Sequence, residues 1–391
     1  MPEQRLDTSL NKYSGWFDVS TENIFLGHCA VSPLFCGAAS AIRDFTQSLA
    51  EGGVTALPKF FEVMPRFHRS FAGLLKTGER NISYVQNTAA ALSMIAHGYP
   101  FQPKDQIISY VHEYPSNHYP WVMQQQRGVE LVLLSDSGSG QGASGLRGWS
   151  MEELERRVTD RTRIVAVSHV QFASGFAADL EALGAFCKDR DIDLIVDCAQ
   201  SLGSLPVYPE RYNIAALASS GWKWLMGPFG AGVMYTSERF RQKLRPVLAG
   251  PGMMRQGLEY LNHDWNPHTD GRMFEFSTAP WDHAAALQAA VSQLFGENGM
   301  ESIREEIFRL QQVFISRLDP DLATAVLFPE RHHSGIVTLE MKGDPQQIIA
   351  AMRQQGVVIT GPTGVLRLAP HFYMEDAQLA RAAEALNTVL A

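Results

Sequence analysis

Short and almost wholly apolar runs alternate with helical patterns through the first 250 residues of the chain. The apolar runs are DQIISYVHEY, GVELVLLS, TRIVAVSHV, DIDLIVDCAQ and GAGVMYTS. Between them, MEELERRV and LEALGAFCKDR carry apolar residues at the spacing of one helix face. Strands as apolar as LIVD and IVAVS are typical of a parallel sheet covered on both faces. The pattern predicts an α/β fold whose ligands bind at the carboxyl ends of the strands.

The pattern changes after residue 250, where a stretch rich in Gly, Pro, Asn and aromatic residues has the character of a binding loop. Long helical patterns follow it, with the strand-like runs GIVTLEM and VVIT and a final helical run, EDAQLARAAEALNTVL. We predict a large domain over 16–252 and a smaller C-terminal α/β domain over 253–391. Residues 1–15 are expected to form an N-terminal arm that belongs with the smaller domain.

Composition excludes several classes of protein. With 391 residues, of which 45% are apolar and 19% charged, the chain can bury a sizeable core. Its net charge is -8 and its basic residues are scattered, so no nucleic-acid partner is indicated. No run approaches the roughly 20 apolar residues that span a bilayer, and the first residues lack a secretory pattern, so we expect a cytoplasmic protein without a membrane partner. The four cysteines show no ligand spacing, so no metal site is predicted.

Two neighbouring runs carry the candidate chemistry, IVDCAQSLGS at 195–204 and SSGWKWLMGPFGAGVMY at 219–235. In the first, Asp197 follows a buried strand, where a helix N-cap would also explain an acid. In the second, Lys223 stands between two tryptophans and before a glycine-rich turn, which is unusual for a solvated lysine. A lysine in apolar surroundings has a lowered pKa and can act as a nucleophile.

Together the two runs resemble the pattern VDxAQ…SxxKWxxGPxGxG of the class V aminotransferase family, fold type I enzymes that depend on pyridoxal 5'-phosphate (PLP) and include cysteine desulfurases and kynureninases. The resemblance covers nearly the whole chain and implies a mainly parallel, seven-stranded-type sheet in the large domain. It implies PLP as cofactor, held by Lys223 as a Schiff base. It also implies that Asp197 faces the pyridine nitrogen and Gln200 the phenolic oxygen.

The resemblance places the phosphate of PLP at a helix N-terminus. In SYVQNTAAALSMIAHG a strand passes into a helix at Thr88 and Ala89, as in the family's TTEA-type turn, so their backbone N–H groups would bind phosphate. A plain N-cap explains the same turn. Ser220 matches the family's phosphate-contacting serine. Trp222 stands where many relatives have His or Tyr, and its indole N–H would donate.

Two further segments would form the walls around the cofactor ring. VHEYPSNHYPW resembles the family segments EHHANIVPW and FPSDHY, which puts Tyr114 in the place of the stacking residue, with Ser116 nearby. VSHVQFASG resembles SHVxNxxG, so we predict His169 beside the cofactor as a catalytic residue, with a buried structural histidine as the alternative. Phe172 replaces the asparagine of desulfurase-like relatives and resembles the kynureninase branch.

Two C-terminal segments would complete the site. RMFEFSTAPW resembles RxFExGT, which crosses a dimer interface in the family. This implies a homodimer with a shared active site, in which the 253–282 loop reaches the partner and Thr278 contacts the partner's phosphate; a helix N-cap is the alternative. GVLRLAPHFYMED resembles RxAPxxxYN, with Met374 replacing the asparagine. It implies that Arg367 binds the substrate α-carboxylate, and a surface ion pair is the alternative.

These residues predict an aminotransferase-type enzyme acting on a small-molecule amino acid, because none of the cofactor-binding residues is dedicated to one leaving group. A β-lyase or kynureninase-like hydrolase is the alternative, followed by an epimerase and by a PLP-binding protein without turnover. The stretch 354–367 contains no cysteine where desulfurases of the branch with the PW segment carry their thiolate, so a desulfurase is not expected. Cys29 is the cysteine that could approach the site, from LGHCAVSP.

Overall fold

The computed structural model describes residues 12, 14–17, 23–137, 148–362 and 364–391. The predicted N-terminal arm, 1–15, lies mostly outside the described residues. The α-helices of the described residues are α1 (Cys36–Gly52), α2 (Val63–Leu75), α3 (Thr88–Gly98), α4 (Tyr119–Val122), α5 (Met151–Arg157), α6 (Leu180–Asp189), α7 (Glu238–Arg241), α8 (Trp281–Ala290), α9 (Met300–Ile315), α10 (Pro345–Gln354) and α11 (Asp376–Leu390).

The strands of the same residues form three sheets. They are β1 (Ile24–Phe25), β2 (Ile82–Val85), β3 (Gln106–Tyr110), β4 (Glu130–Leu134), β5 (Thr162–Ser168), β6 (Asp193–Asp197), β7 (Ala216–Ser220), β8 (Gly232–Thr236), β9 (Ala323–Val326), β10 (Val337–Met341), β11 (Val357–Val358) and β12 (Leu366–Leu368). Among these residues no helix has both the length and the apolar character needed to cross a membrane.

The main sheet has seven strands in the order β2–β8–β7–β6–β5–β3–β4. The four pairs from β7 to β4 are parallel, and β8 pairs antiparallel with both β7 and β2. The predicted α/β fold with a mainly parallel central sheet is confirmed. Asp197 is the last residue of β6 and Ser220 the last of β7, so both lie at the carboxyl edge of the sheet.

Both faces of this sheet are covered, as the apolar runs indicated. Side chains of successive strand residues point to opposite faces, so β5 contributes Ile164 and Ala166 to one apolar cluster and Val165 and Val167 to the other. The first cluster includes residues of α3 and the second includes residues of α2 and α8. The covered faces leave the strand ends as the place where polar residues meet.

The C-terminal part of the chain contains an antiparallel sheet of three strands, β12–β10–β9, packed with apolar residues of α9, α10 and α11. The N-terminal strand β1 joins this part, because it pairs in parallel with β11. That pairing brings the segment after β1 next to the segment before β12. The boundary predicted at 252/253 stays a prediction, and α8, which follows it, shares an apolar cluster with α1.

Candidate active site

A cavity of about 510 Å³ lies at the carboxyl edge of the main sheet. It brings together most of the residues singled out in the sequence. Its lining includes the predicted cofactor-binding residues Thr88, Ala89, Tyr114, Gln200, Ser220 and Trp222. Asp197, Lys223 and Arg367 line the same cavity. Residues from distant parts of the sequence are thus combined in one space.

Lys223 and Asp197 form the charged centre of the cavity. Burial lowers the pKa of Lys223, and Arg367 adds to this effect, while the charges of Asp197 and Cys29 oppose it. Burial raises the pKa of Asp197, against the hydrogen bond from the Ala199 amide (2.8 Å) and the charge of Lys223. A less basic lysine is more often neutral and nucleophilic. A buried carboxylate favours a cationic or N–H partner in front of it.

The turn that carries Lys223 depends on a close approach of two backbone segments. The Gly221 amide donates to the Ala231 carbonyl at 2.8 Å, and the Gly227 amide donates to the Gly221 carbonyl at 2.8 Å. A Cβ atom at Gly221 would lie 2.9 Å from the Ala231 oxygen. A glycine at 221, two residues before the lysine, is therefore required by this close approach, which holds the turn that carries Lys223 after β7.

One end of the cavity consists of hydrogen-bond donors at the N-terminus of α3. Asn87 caps the helix, since its side chain accepts from the Ala90 amide at 2.8 Å. The Ser220 hydroxyl accepts from the Thr88 amide at 3.2 Å and lies 2.9 Å from the Thr88 hydroxyl oxygen. Thr88 and Ala89 are the first two residues of the helix. Helix N-terminal amides and hydroxyls in this arrangement suit an anion.

The opposite end contains Arg367, whose side chain is buried, at 5% exposure. Its Nη1 donates to the Phe172 carbonyl, its Nη2 lies 3.4 Å from the Thr360 hydroxyl, and its Nε has no hydrogen-bond partner among the described residues. No carboxylate in the described part of the chain pairs with this guanidinium. The surface ion pair considered for Arg367 is therefore not observed, and a ligand carboxylate would complete its bonding.

Cys29 reaches the cavity from the N-terminal segment that pairs with β11. Its Sγ shares a hydrogen bond of 3.5 Å with the Thr360 hydroxyl, and its carbonyl accepts from Gln200 Nε2 at 2.9 Å. The Gln200 Oε1 accepts from Trp224 Nε1 at 3.1 Å. Gln200 thus holds the cysteine segment against the cavity, and one of its amide hydrogens already serves this contact.

Two aromatic rings form a wall beside these groups. Tyr114 and Phe172 meet edge to face with ring centroids 5.2 Å apart, and Lys223 Nζ lies 5.2 Å from the centroid of Tyr114. Ser116 also lines the cavity. Trp222 packs against the exposed ring of Phe229 at 5.3 Å.

His169 does not line this cavity, and its predicted place beside the cofactor stays a prediction. Its ring lines a separate cavity of about 940 Å³, and burial lowers its pKa to about 3. The reason is alternation along the end of β5, because Ser168 contacts Glu113 behind Tyr114 while the next side chain faces away. The alternative, a buried structural histidine, describes its position. Its backbone amide donates to the Asp197 carbonyl at 2.9 Å.

Thr278 also lies outside the lining of this cavity, and its side chain is exposed. Its contact with a partner's phosphate, and the homodimer that this contact requires, stay predictions.

Sequence reasoning missed Glu113, a buried carboxyl directly before Tyr114. Burial raises its pKa to about 7, a change that hydrogen bonds from Ser168 and Gln171 oppose and the charge of Asp197 reinforces. An acid following a strand was visible in VHEYPSNHY. Nothing local distinguished it from an exposed acid, because Ser168 and Gln171, which donate to it, are more than fifty positions away.

An α/β sheet with a buried lysine–aspartate pair at its carboxyl edge is the architecture of fold type I PLP-dependent enzymes. The sequence profile of the class-V aminotransferases matches residues 39–382. The chain belongs to this family. It is a PLP-dependent enzyme, as the sequence predicted.

Relatives and solved structures give narrower names. A probable cysteine desulfurase of Methanothermobacter thermautotrophicus is 24% identical over 319 residues, which are 81% of this chain and 72% of that protein. The cystine C–S lyase C-DES, solved with its reaction product cysteine persulfide, has a TM-score of 0.84 at 18% identity over 94% of this chain and 98% of that chain. An apo cysteine desulfurase from Thermococcus onnurineus NA1 has a TM-score of 0.84 at 21% identity, over 100% and 99%.

Proposed function

We propose that this protein is a PLP-dependent C–S lyase that acts on an amino acid with a short, uncharged, sulfur-bearing side chain, such as L-cysteine. The observation that carries the proposal is the substrate end of the cavity. There a buried guanidinium, Arg367, lies beside Cys29, Thr360 and Phe172. Such an end suits an α-carboxylate followed by a small neutral side chain.

The cavity's donor set fits PLP. The amides of Thr88 and Ala89, with the Ser220 hydroxyl, would hold the phosphate, and the buried carboxylate of Asp197 would hold the protonated pyridine nitrogen. Tyr114 would flank the ring, and Lys223 would carry the cofactor covalently. An additional observation supports this fit: burial disfavours the charges of both Asp197 and Lys223, which a bound cofactor would compensate.

PLP supplies an electron sink that stabilises negative charge at the substrate α-carbon. Arg367 binds the α-carboxylate and thereby keeps the α-carbon in the cavity that also contains Lys223. Lys223, with its pKa lowered by burial, accepts the proton from that carbon and acts as general base. Loss of the Cβ–S bond then releases the sulfur group beside the wall that Phe172 and Tyr114 form.

Two lines of support favour C–S cleavage over the aminotransferase first expected from the sequence. The relative and the two solved structures described above are named desulfurases or a C–S lyase. In addition, Arg367 and Lys223 are the only cations among the described residues that line the cavity. An aminotransferase that exchanges with a dicarboxylic oxo acid needs a second cation for the distal carboxylate.

The fate of the sulfur depends on Cys29. A cysteine that carries sulfur away must move between the substrate and an acceptor, but the Cys29 segment is held by Gln200 and by the β1–β11 pairing. The stretch 354–367 has no cysteine to replace it. We therefore propose β-elimination, in which L-cysteine and water give pyruvate, ammonia and hydrogen sulfide, and the protein carries no sulfur.

Product analysis tests this proposal. The PLP-loaded protein is incubated with L-cysteine, with and without a 2-oxo acid, and products are quantified by mass spectrometry. We expect pyruvate and ammonia in equal amounts, no product with Lys223→Ala, and rates within about threefold of the parent protein with Cys29→Ala.

Two results would contradict the proposal. Accumulation of alanine together with a persulfide on Cys29 would show a desulfurase that uses this cysteine. Conversion of the added 2-oxo acid to its amino acid, at the rate of substrate loss, would show an aminotransferase.

A further inference from the structure

Glu113 is a buried carboxyl, 7% exposed, that does not line the cavity yet bonds to three segments around it. Its Oε1 accepts from the Ser168 amide at 2.8 Å and from Gln171 Nε2 at 2.8 Å. Its Oε2 accepts from Asn117 Nδ2 at 3.1 Å and from the Ser168 hydroxyl. Four donors thus converge on two oxygens.

Each donor belongs to a segment that forms part of the cavity. Asn117 ends the short 3₁₀ helix Pro115–Asn117, which follows Tyr114 directly. Gln171 directly precedes Phe172 in the chain. Ser168 ends β5 and is paired in register with Asp197 of β6. Glu113 therefore joins the segments of Tyr114 and Phe172 to β5, the neighbour of the strand that carries Asp197.

The connection continues to the substrate end. The Phe172 carbonyl accepts from Arg367 Nη1, across 195 positions of sequence. The position of Phe172 therefore sets one of the contacts that orient the guanidinium. A shift of the segment at Gln171 would move this carbonyl, and with it the direction in which the free Nε of Arg367 points.

We propose that Glu113 is a positioning residue for recognition of the substrate carboxylate: it fixes the Phe172 carbonyl and so the orientation of Arg367. The proposal rests on the role proposed above for Arg367 and is independent of which bond is cleaved. In its ionised form, Glu113 accepts all four bonds, whereas a glutamine in its place offers an N–H to Asn117, which is itself a donor. The conflict leaves a buried donor unsatisfied and displaces the segments that Glu113 joins.

Glu153 provides a matched control, because it is also a buried glutamate, 3% exposed, with several donors. It accepts from the Ser135 amide at 3.0 Å and from the hydroxyls of Ser135 and Ser137 at 2.7–2.9 Å. None of these residues lines the cavity. Glu153→Gln therefore perturbs a comparable network without reaching the candidate site.

The test measures binding without C–S cleavage. PLP-loaded parent protein, Glu113→Gln and Glu153→Gln are titrated with L-alanine and with ethylamine, its counterpart without the carboxylate, and the dissociation constants are read from visible absorbance. We expect Glu113→Gln to weaken L-alanine by about tenfold and ethylamine by less than about twofold. Glu153→Gln should change neither.

Gln171→Leu serves if Glu113→Gln does not fold, because it removes one of the four donors and should weaken L-alanine selectively by about threefold. Hydrogen exchange of the cofactor-free protein is a second measurement, in which Glu113→Gln should accelerate exchange in 168–173 and Glu153→Gln should not.

Equal weakening of both ligands, or the same selective loss with Glu153→Gln, would overturn the role of Glu113. A selective loss of L-alanine binding alongside absent C–S cleavage would leave this inference standing and contradict the proposed function alone.

Discussion

The two ends of the cavity are built in different ways. At the cofactor end, Asp197, Ser220 and Lys223 come from consecutive strands and the turn after them, within 27 positions of one another. At the substrate end, Cys29 and Thr360 bond across 331 positions. Arg367 reaches this end from β12 and Phe172 from the segment after β5. Neighbouring parallel strands place these three residues of the first end, to which Thr88 bonds across 132 positions, and long-range contacts assemble the whole of the second end.

This difference predicts different sensitivities. At the cofactor end, replacing any one charged residue should cause a large loss of turnover. The reason is that burial makes each of these charges depend on a partner in the cavity. The substrate end should lose selectivity in steps, because several separate contacts orient one guanidinium.

The largest effect is expected at Lys223. Lys223→Ala removes the amine that would carry PLP and accept the α-proton, so turnover should fall by at least about a thousandfold. The matched control is Lys243→Ala, which removes a lysine paired with buried Asp193 at 2.7 Å on the same sheet. Visible absorbance and initial rates are measured for both variants. Retained turnover in Lys223→Ala would contradict the assignment.

Asp197→Asn tests the second group at the cofactor end. The amide cannot balance a protonated pyridine nitrogen, so kcat should fall about a hundredfold while KM for L-cysteine changes less. Steady-state kinetics separate the two parameters. A rise in KM with unchanged kcat would instead assign Asp197 to the substrate end. The two ends of the cavity would then not differ in sensitivity as proposed.

Arg367→Ala tests the substrate end, where the loss should depend on the ligand. A charge-assisted hydrogen bond contributes about 1.5–3 kcal/mol, so kcat/KM for L-cysteine should fall about ten- to a hundredfold. Cysteamine, which lacks the carboxylate, should be affected far less. If both substrates lost equally, Arg367 would be a structural residue.

The smallest effect concerns the pH dependence of stability at Glu113. Its pKa of about 7 lies above the ordinary value of 4.5, so the folded state binds a proton that the unfolded state has released between these pH values. Stability relative to Glu113→Gln, which does not titrate, should therefore fall by about 2 kcal/mol as pH rises from 5 to 8. Urea unfolding of the cofactor-free proteins measures it, and a pH-independent difference would contradict the assigned protonation.

The same contrast explains what the sequence could predict. The apolar runs predicted the main sheet, and the runs around Asp197 and Lys223 predicted residues that share one cavity, because strand ends and short turns are encoded locally. The motif around His169 does not show which face of the strand end its side chain takes, and the residue lines a different cavity. Glu113 and the place of Cys29 depend on pairings such as β1–β11, which no local pattern of hydrophobicity specifies.

Chemical trapping is the most direct test of whether Lys223 is the lysine that carries PLP. Borohydride reduction of the PLP-loaded protein fixes the cofactor to the amine that carries it, and peptide mapping by mass spectrometry then locates the label. We expect one pyridoxyl group per chain, on the peptide that contains Lys223 between Trp222 and Trp224. A label on any other lysine, or none on Lys223, would contradict it.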